Sequence, residues 1–307
     1  MINRFPILEK VVKIAKINQE ISETKHLIAK ILIDQIKQNN IYENIHDTEF
    51  KVYSQWGDDG IIQYLINNID IPEEFQIFVE FGVGNYTESN TRFLLINNNW
   101  KGLVMDSNSR HINFIKNDEI YWKFDLTAIS CFVNKDNINE LLSKNNFIGE
   151  IGLLHIDIDG NDYWIWESIN VINPIIVIVE YNSIFGNKHA ITVPYDSNFD
   201  RTKAHYSNLY FGASLKALSL LADKKGYFFV GSTKNGNNAY FVRKDMIGNI
   251  KIKRIEESYI KSKFRESVDE KGNLTYISGE KRVKLIKDMD IYDIEEKRLI
   301  KIKDLFK

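Results

Sequence analysis

The chain has 307 residues, 44% of them hydrophobic and 27% charged, enough to bury a sizeable core without covalent staples. Lys and Arg total 40 against 42 Asp and Glu, so no global charge draws the protein to nucleic acid or to an anionic membrane surface. Cys131 is the sole cysteine, which excludes an intramolecular disulfide framework and a cysteine-rich zinc site, and it fits a reducing, cytoplasmic setting.

The opening segment, "MINRFPILEKVVKIAK", carries charges where a signal peptide needs an unbroken apolar stretch, and no apolar run reaches membrane-spanning length. A soluble, unexported protein is expected. Residues 1–48 read as a helical extension: Ile7, Ile14, Ile21 and Ile28 recur every seven positions, Val11 and Leu32 stand beside them, and Asn18 and Lys25 interrupt the seam. Two readings stay open, a helix packed on its own domain and a helix that joins two copies into a homodimer.

Over residues 49–245, short β-branched or apolar runs alternate with longer amphipathic segments, the pattern of a parallel sheet covered by helices. The expected strands are "QIFVEFG", "KGLVMDS", "IYWKFDL", "IGLLHIDID", "PIIVIVEYN", "YFFVGST" and "NAYFVRK". The turn "KNGN" joins the last two as an antiparallel hairpin. The fold class is therefore α/β, a Rossmann-like, mostly parallel seven-stranded sheet with its last strand reversed. Residues 246–307 form a charged extension, read as a small appendage or interaction arm that ends in a charged helix.

Ligands of such sheets bind at the carboxyl ends of the strands, so polar groups there carry the functional reading. Glu80 precedes Gly82 and Gly84 in "FVEFGVGNYTE", and the next strands end in Asp106, Asp125, Asp157 with Asp159, and Glu180 with Asn182. The glycines let the backbone approach a ligand, and Asp106 stands where a carboxylate accepts both ribose hydroxyls. The competing structural reading is that Glu80 caps the following helix. Thr87 replaces the third glycine of a GxGxxG turn, which argues against a dinucleotide and for an adenosyl cofactor without phosphates.

At this point the chain resembles the class I S-adenosylmethionine-dependent methyltransferases. More narrowly, "YSQWGDDGIIQYLI", "LLHIDIDGNDYWIWESI", "VIVEYNSIFG" and "YFGASLKALSLLADKKGYFFVGSTKNGNNAYFVRKD" are similar to a bacterial group related to the FkbM-type enzymes. The resemblance implies a cofactor site of Glu80, Gly82, Gly84, Asp106 and Asp125, and a small-molecule acceptor bearing a sugar or phosphate, of the kind handled in capsule or surface-polysaccharide synthesis. Tyr86 stands where many relatives have a further glycine. "YSQWGDDG", just before the first strand, offers Gln55, Trp56 and Asp58 as a cover over the cofactor.

Methyl transfer from a sulfonium needs orientation and removal of the acceptor's proton. "HIDIDGND" presents His155, Asp157 and Asp159 by strand alternation, near Glu180 and Asn182. Two mechanisms remain open: Asp157, Asp159, Glu180 and Asn182 hold Mg²⁺ or Mn²⁺, or the acids bind acceptor hydroxyls while His205, in "RTKAHYSNLYFG", is the base. Rival functions are an NAD(P)-dependent oxidoreductase and a non-catalytic scaffold on the same sheet. Neither nucleic acid nor membrane is expected as a partner.

Overall fold

The computed structural model describes residues 5–39 and 41–306. Among these residues ten strands occur: β1 (Ile77–Phe81), β2 (Lys101–Asp106), β3 (Leu126–Ser130), β4 (Gly149–Ile156), β5 (Ile172–Glu180), β6 (Ile191–Thr192), β7 (Tyr227–Ser232), β8 (Asn238–Arg243), β9 (Asp290–Asp293) and β10 (Arg298–Lys301). Nine helices matter for the site: α1 (Phe5–Asn39), α2 (Asp58–Asn68), α3 (Arg92–Asn98), α4 (Ser109–Asn117), α5 (Ile120–Lys123), α6 (Ile138–Lys144), α7 (Asp162–Ser168), α8 (Arg201–Ala204) and α9 (Leu215–Lys225).

Seven strands form one sheet in the order β3-β2-β1-β4-β5-β8-β7. Strands β1 to β5 pair in parallel, and β8 runs antiparallel between β5 and β7. The expected Rossmann-like sheet with a reversed last strand is present. Alternation along each strand feeds two cores: Val79, Phe81, Leu103 and Leu154 enter the layer with α6, α7 and α9, while Phe78, Val104, Leu153 and Ile178 enter the layer with α2 and α3.

The third strand departs from expectation. "IYWKFDL" does not form it; Ile120–Lys123 is a helical turn, and β3 begins at Leu126. Just before Ile120 the side chain of Asp118 makes a tight turn, its Oδ1 accepting from the Ile120 amide at 3.1 Å while its Oδ2 is held by Arg92 at 3.0 Å, and the chain enters a helical turn where the aromatic run suggested a strand. Asp125 therefore precedes β3, and its carbonyl accepts from Gly102 near the start of β2. Its carboxylate lies at the sheet edge opposite the strand ends, near Lys101 at 3.9 Å.

Residues 246–306 are not an arm. β9 and β10 pair as a hairpin and add to β6 in a second, three-stranded sheet, with Ile191, Ile286, Ile291 and Ile302 buried beneath. The expected terminal charged helix is thus mainly this hairpin, whose tip has Lys297 at φ +53°. Helix α1 buries Ala29, Ile33 and Ile36. The side chains of Ile7, Val11 and Asn18 lie outside the described residues. Among those described, no helix is long and apolar enough to cross a membrane.

The ends of β1 and β4 close on each other at Gly82. Its φ is +74°, and a Cβ there would stand 1.7 Å from the Asp157 carbonyl oxygen. Gly84 is also left-handed, at φ +55°, but a Cβ there would meet nothing within 4 Å. Gly82→Ala should therefore lose about 2 to 5 kcal/mol in urea denaturation, from left-handed strain plus overpacking. Gly84→Ala should lose about 1 to 2 kcal/mol, strain alone; equal losses would contradict this placement of the two glycines.

Candidate functional site

Glu80 leaves β1 on the α3 side of the sheet and is 2% exposed. Its Oε1 accepts from the Asn90 amide at 3.1 Å and faces His155 Nδ1 at 2.9 Å; its Oε2 accepts from Ser89 Oγ at 2.6 Å, the Thr91 amide at 3.2 Å and Thr91 Oγ1. Both oxygens are used within the protein. Burial works against the Glu80 charge, but the His155 hydrogen bond and the hydroxyl donors outweigh it and hold the carboxyl below its usual range. Contact with a ligand, as the sequence suggested, is corrected to the capping reading: Glu80 fastens residues 89–91 and the amino end of α3. His155, correspondingly, is a core histidine between Glu80 and Asn90 rather than a group facing an acceptor.

With that loop fixed, the carboxyl ends of β1, β2, β3 and β4 enclose a cavity of about 280 Å³, whose lining includes Gly82, Asp106, Ser107, Phe132, Asp157 and Ile158. Asp106 Oδ2 accepts from the Gly84 amide at 2.9 Å, and Oδ1 accepts from the Asn108 amide at 2.8 Å and faces His111 at 3.2 Å. A carboxylate has acceptor sites beyond these bonds, and Asp106 lines the cavity. Phe132, 47% exposed, adds an apolar face.

A second cavity of about 320 Å³ shares Asp157 and Asp159 with the first and adds Glu180, Arg201, Trp56 and Phe264. Asp159 turns here because it sits at φ +55°, and Arg201 joins it and reaches Glu266 at 2.6 Å. Trp56 stacks on Phe264 at 6.2 Å between ring centroids. One carboxylate oxygen from each of Asp157, Asp159 and Glu180 can be chosen so that all lie within 4.8 Å of one another. Burial, reinforced by Asp159, pushes the Asp157 carboxyl up to about 7, and burial with Asp157 and Asp159 lifts Glu180 well above its usual range. Glu180 Oε2 is buried with no hydrogen-bond partner among the described residues. Burial weakens the Arg201 charge, but Asp159, Glu180 and Glu266 overcome that and raise its pKa.

Four expected residues lie elsewhere. Asn182 is no ligand: its Nδ2 donates to Leu209 and Phe211 carbonyls, both at 3.0 Å, and its Oδ1 accepts from the Ile184 amide. His205 lines neither cavity; its Nδ1 accepts from the Ser207 amide at 3.2 Å, and its ring lies 4.4 Å from Tyr206. Gln55 lines the second cavity rather than the first, and Asp125 is at the wrong edge. Asp58 is also structural, accepting from Asn238 at 2.8 Å and Tyr240 at 2.5 Å. Sequence reasoning missed Arg201, Phe264 and Glu266. Arg201 had only its neighbourhood of polar loop residues as a signal, and the other two lie in a charged stretch with none.

The raised acids set a pH dependence. A carboxyl whose folded pKa exceeds its unfolded value contributes stability fully present below about 4 and lost as pH rises through the folded value. Asp157 at about 7 and Asp162 at about 6 place that loss between about pH 4 and 7. Thermal denaturation of the ligand-free protein should show falling stability across that window, and Asp157→Asn should flatten it; an unchanged profile in the variant would contradict the assignment.

No known family profile and no curated protein matches the chain. Among solved structures, it is similar to the CMeT domain of the citrinin polyketide synthase at 10% identity over 61% of this chain and 51% of that one, with a TM-score of 0.39. PKMT2 from Rickettsia typhi aligns at 12% identity over 66% and 56% of the two chains, with a TM-score of 0.40. An S-adenosylmethionine-dependent methyltransferase from Clostridium acetobutylicum ATCC 824 aligns at 9% identity over 61% and 90%, with a TM-score of 0.38. The chain thus spans about half the length of the first two.

Proposed function

We propose that the chain is an S-adenosylmethionine-dependent O-methyltransferase of a small, hydroxyl-rich acceptor such as a sugar. The observation that carries this reading is the pair of cavities meeting at Asp157 and Asp159, at the carboxyl edge of this sheet order. The first cavity offers Asp106 to ribose hydroxyls and Phe132 to a flat ring. The second offers carboxylates as acceptors for hydroxyl donors and the stacked Trp56 and Phe264 as a wall for the carbon face of a ring. Four acids against one Arg disfavour a phosphate in that cavity, so the sugar half of the expected acceptor class is retained.

A specific observation disfavours NAD(P). A dinucleotide pyrophosphate needs free amides at the helix after the glycine turn. Here α3 begins only at Arg92, and the Asn90 and Thr91 amides are spent on Glu80.

In the reaction, the acceptor oxygen attacks the methyl carbon as the carbon–sulfur bond breaks, leaving S-adenosylhomocysteine. The acceptor's proton must leave, and Asp157, on the rim between the cavities with no side-chain hydrogen bond of its own among the described residues, would take it. Arg201 holds Asp159 and Glu266 in position. The orphaned Glu180 oxygen and the oxygen-rich cluster fit a hard divalent cation, which Asp157, Asp159 and Glu180 would hold. Such an ion would supply positive charge that acidifies the acceptor hydroxyl.

Calorimetric titration with S-adenosylhomocysteine and with NAD⁺ tests the reading. Binding of the first alone is expected, with Asp106→Ala weakening it about 10 to 150-fold by loss of charge-assisted hydrogen bonds of about 1.5 to 3 kcal/mol. Binding of NAD⁺ alone would reverse the assignment. For the cation, methyl transfer should stop on chelation and return with Mg²⁺ or Mn²⁺, whereas full turnover in a chelator would leave Asp157 acting as base without an ion.

A further inference from the structure

Helix α1 has two apolar flanks, and the domain uses one. Ala29, Ile33 and Ile36 are buried, and His26 fits between Tyr53 and Phe93. On another flank Ile14, Ile17, Ile21, Ile28 and Ile31 are 44–59% exposed. With Thr24 they recur at alternating steps of three and four residues, the a and d positions of a heptad seam. The described side chains between Lys10 and Glu20 are all exposed. Helices in water take most of their stability from a packed apolar face, and a row of five exposed isoleucines lacks that cover.

The charges beside the seam indicate what covers it. In parallel, in-register strands, a g position faces the e position of the following heptad on its neighbour. Those positions here are Glu20 and Lys25, of opposite sign, both exposed and both without an ion pair among the described residues. The next such pair is Leu27, 64% exposed, and Leu32, which continues the apolar surface. Lys25, which looked like an interruption in a seven-residue count, thus falls at the border and supplies pairing charge.

We propose that α1 is a self-assembly element whose Ile14-to-Ile31 seam is covered, in parallel and in register, by the same seam of further copies of this chain. Isoleucine at both a and d positions favours three strands over two. The inference is independent of the methyl-transfer reading, since none of these residues lines either cavity.

Light scattering and sedimentation of the full chain over about 1 to 100 μM should give a mass of two or three chains. Ile21→Glu with Ile28→Glu should give a monomer that still binds S-adenosylhomocysteine as wild type does, or, if that ligand proves wrong, retains the wild-type melting of the main domain. Glu20→Lys should weaken assembly about threefold or more, and adding Lys25→Glu should restore it. A wild-type monomer throughout the range overturns the proposal, as does assembly indifferent to the double isoleucine change. A charge swap without restoration overturns the parallel register. A monomer that co-sediments with phosphatidylglycerol vesicles assigns the seam to lipid and overturns it as well.

Discussion

The buried carboxylate of Glu80 is the constraint on which the site depends. A charge 2% exposed must be met by donors, and it is met by Ser89, Asn90, Thr91 and His155. Meeting them draws the loop after β1 back against the sheet and holds the first turn of α3. That leaves Gly84 free to offer its amide to Asp106, and it lets Gly82 abut the end of β4. Removing one partner from such a buried ionic cluster is expected to cost about 3 to 5 kcal/mol.

The acids at the strand ends divide into two populations by this test of partners. Glu80 and Asp162 are saturated by backbone and hydroxyl donors: Asp162 accepts from the Ile158 and Gly160 amides at 2.9 Å each and shapes the turn after β4. Asp157 and Glu180 are not saturated: the Glu180 Oε2 has no partner among the described residues, and mutual repulsion adds to burial in raising both, whereas burial alone leads the rise of the donor-held Asp162. An unsatisfied acid is costly in a core and useful on the wall between two cavities, where a proton, a cation or a hydroxyl-rich molecule offsets its charge. The segment carrying Phe264 and Glu266 closes the second cavity, so the C-terminal region participates in the site, anchored by Tyr259 and Tyr181 contacts to residues Ser183 and Ile260.

Much of the fold was legible because strand alternation and turn chemistry are local: six of the seven main strands follow their apolar runs, and "KNGN" marks the hairpin. The third strand failed at the side-chain turn made by Asp118, whose partner Arg92 comes from a distant position in the chain. Asp106, Asp157, Asp159 and Glu180 were legible as strand-end acids, but partner saturation is a property of three dimensions, so Glu80 and Asn182 looked like ligands when they are braces. His205 looked free on a polar loop and is tied to Ser207. The contribution of Phe264 was invisible because nothing in "KSKFRESVDE" distinguishes a wall from a solvated run.

A crystal structure with S-adenosylhomocysteine tests the central claim most directly. The account predicts the ribose hydroxyls on Asp106, the adenine against Phe132, and the sulfur directed at the rim formed by Asp157 and Asp159. A ligand lodged only in the second cavity, or an adenosine whose ribose leaves Asp106 untouched, would contradict it.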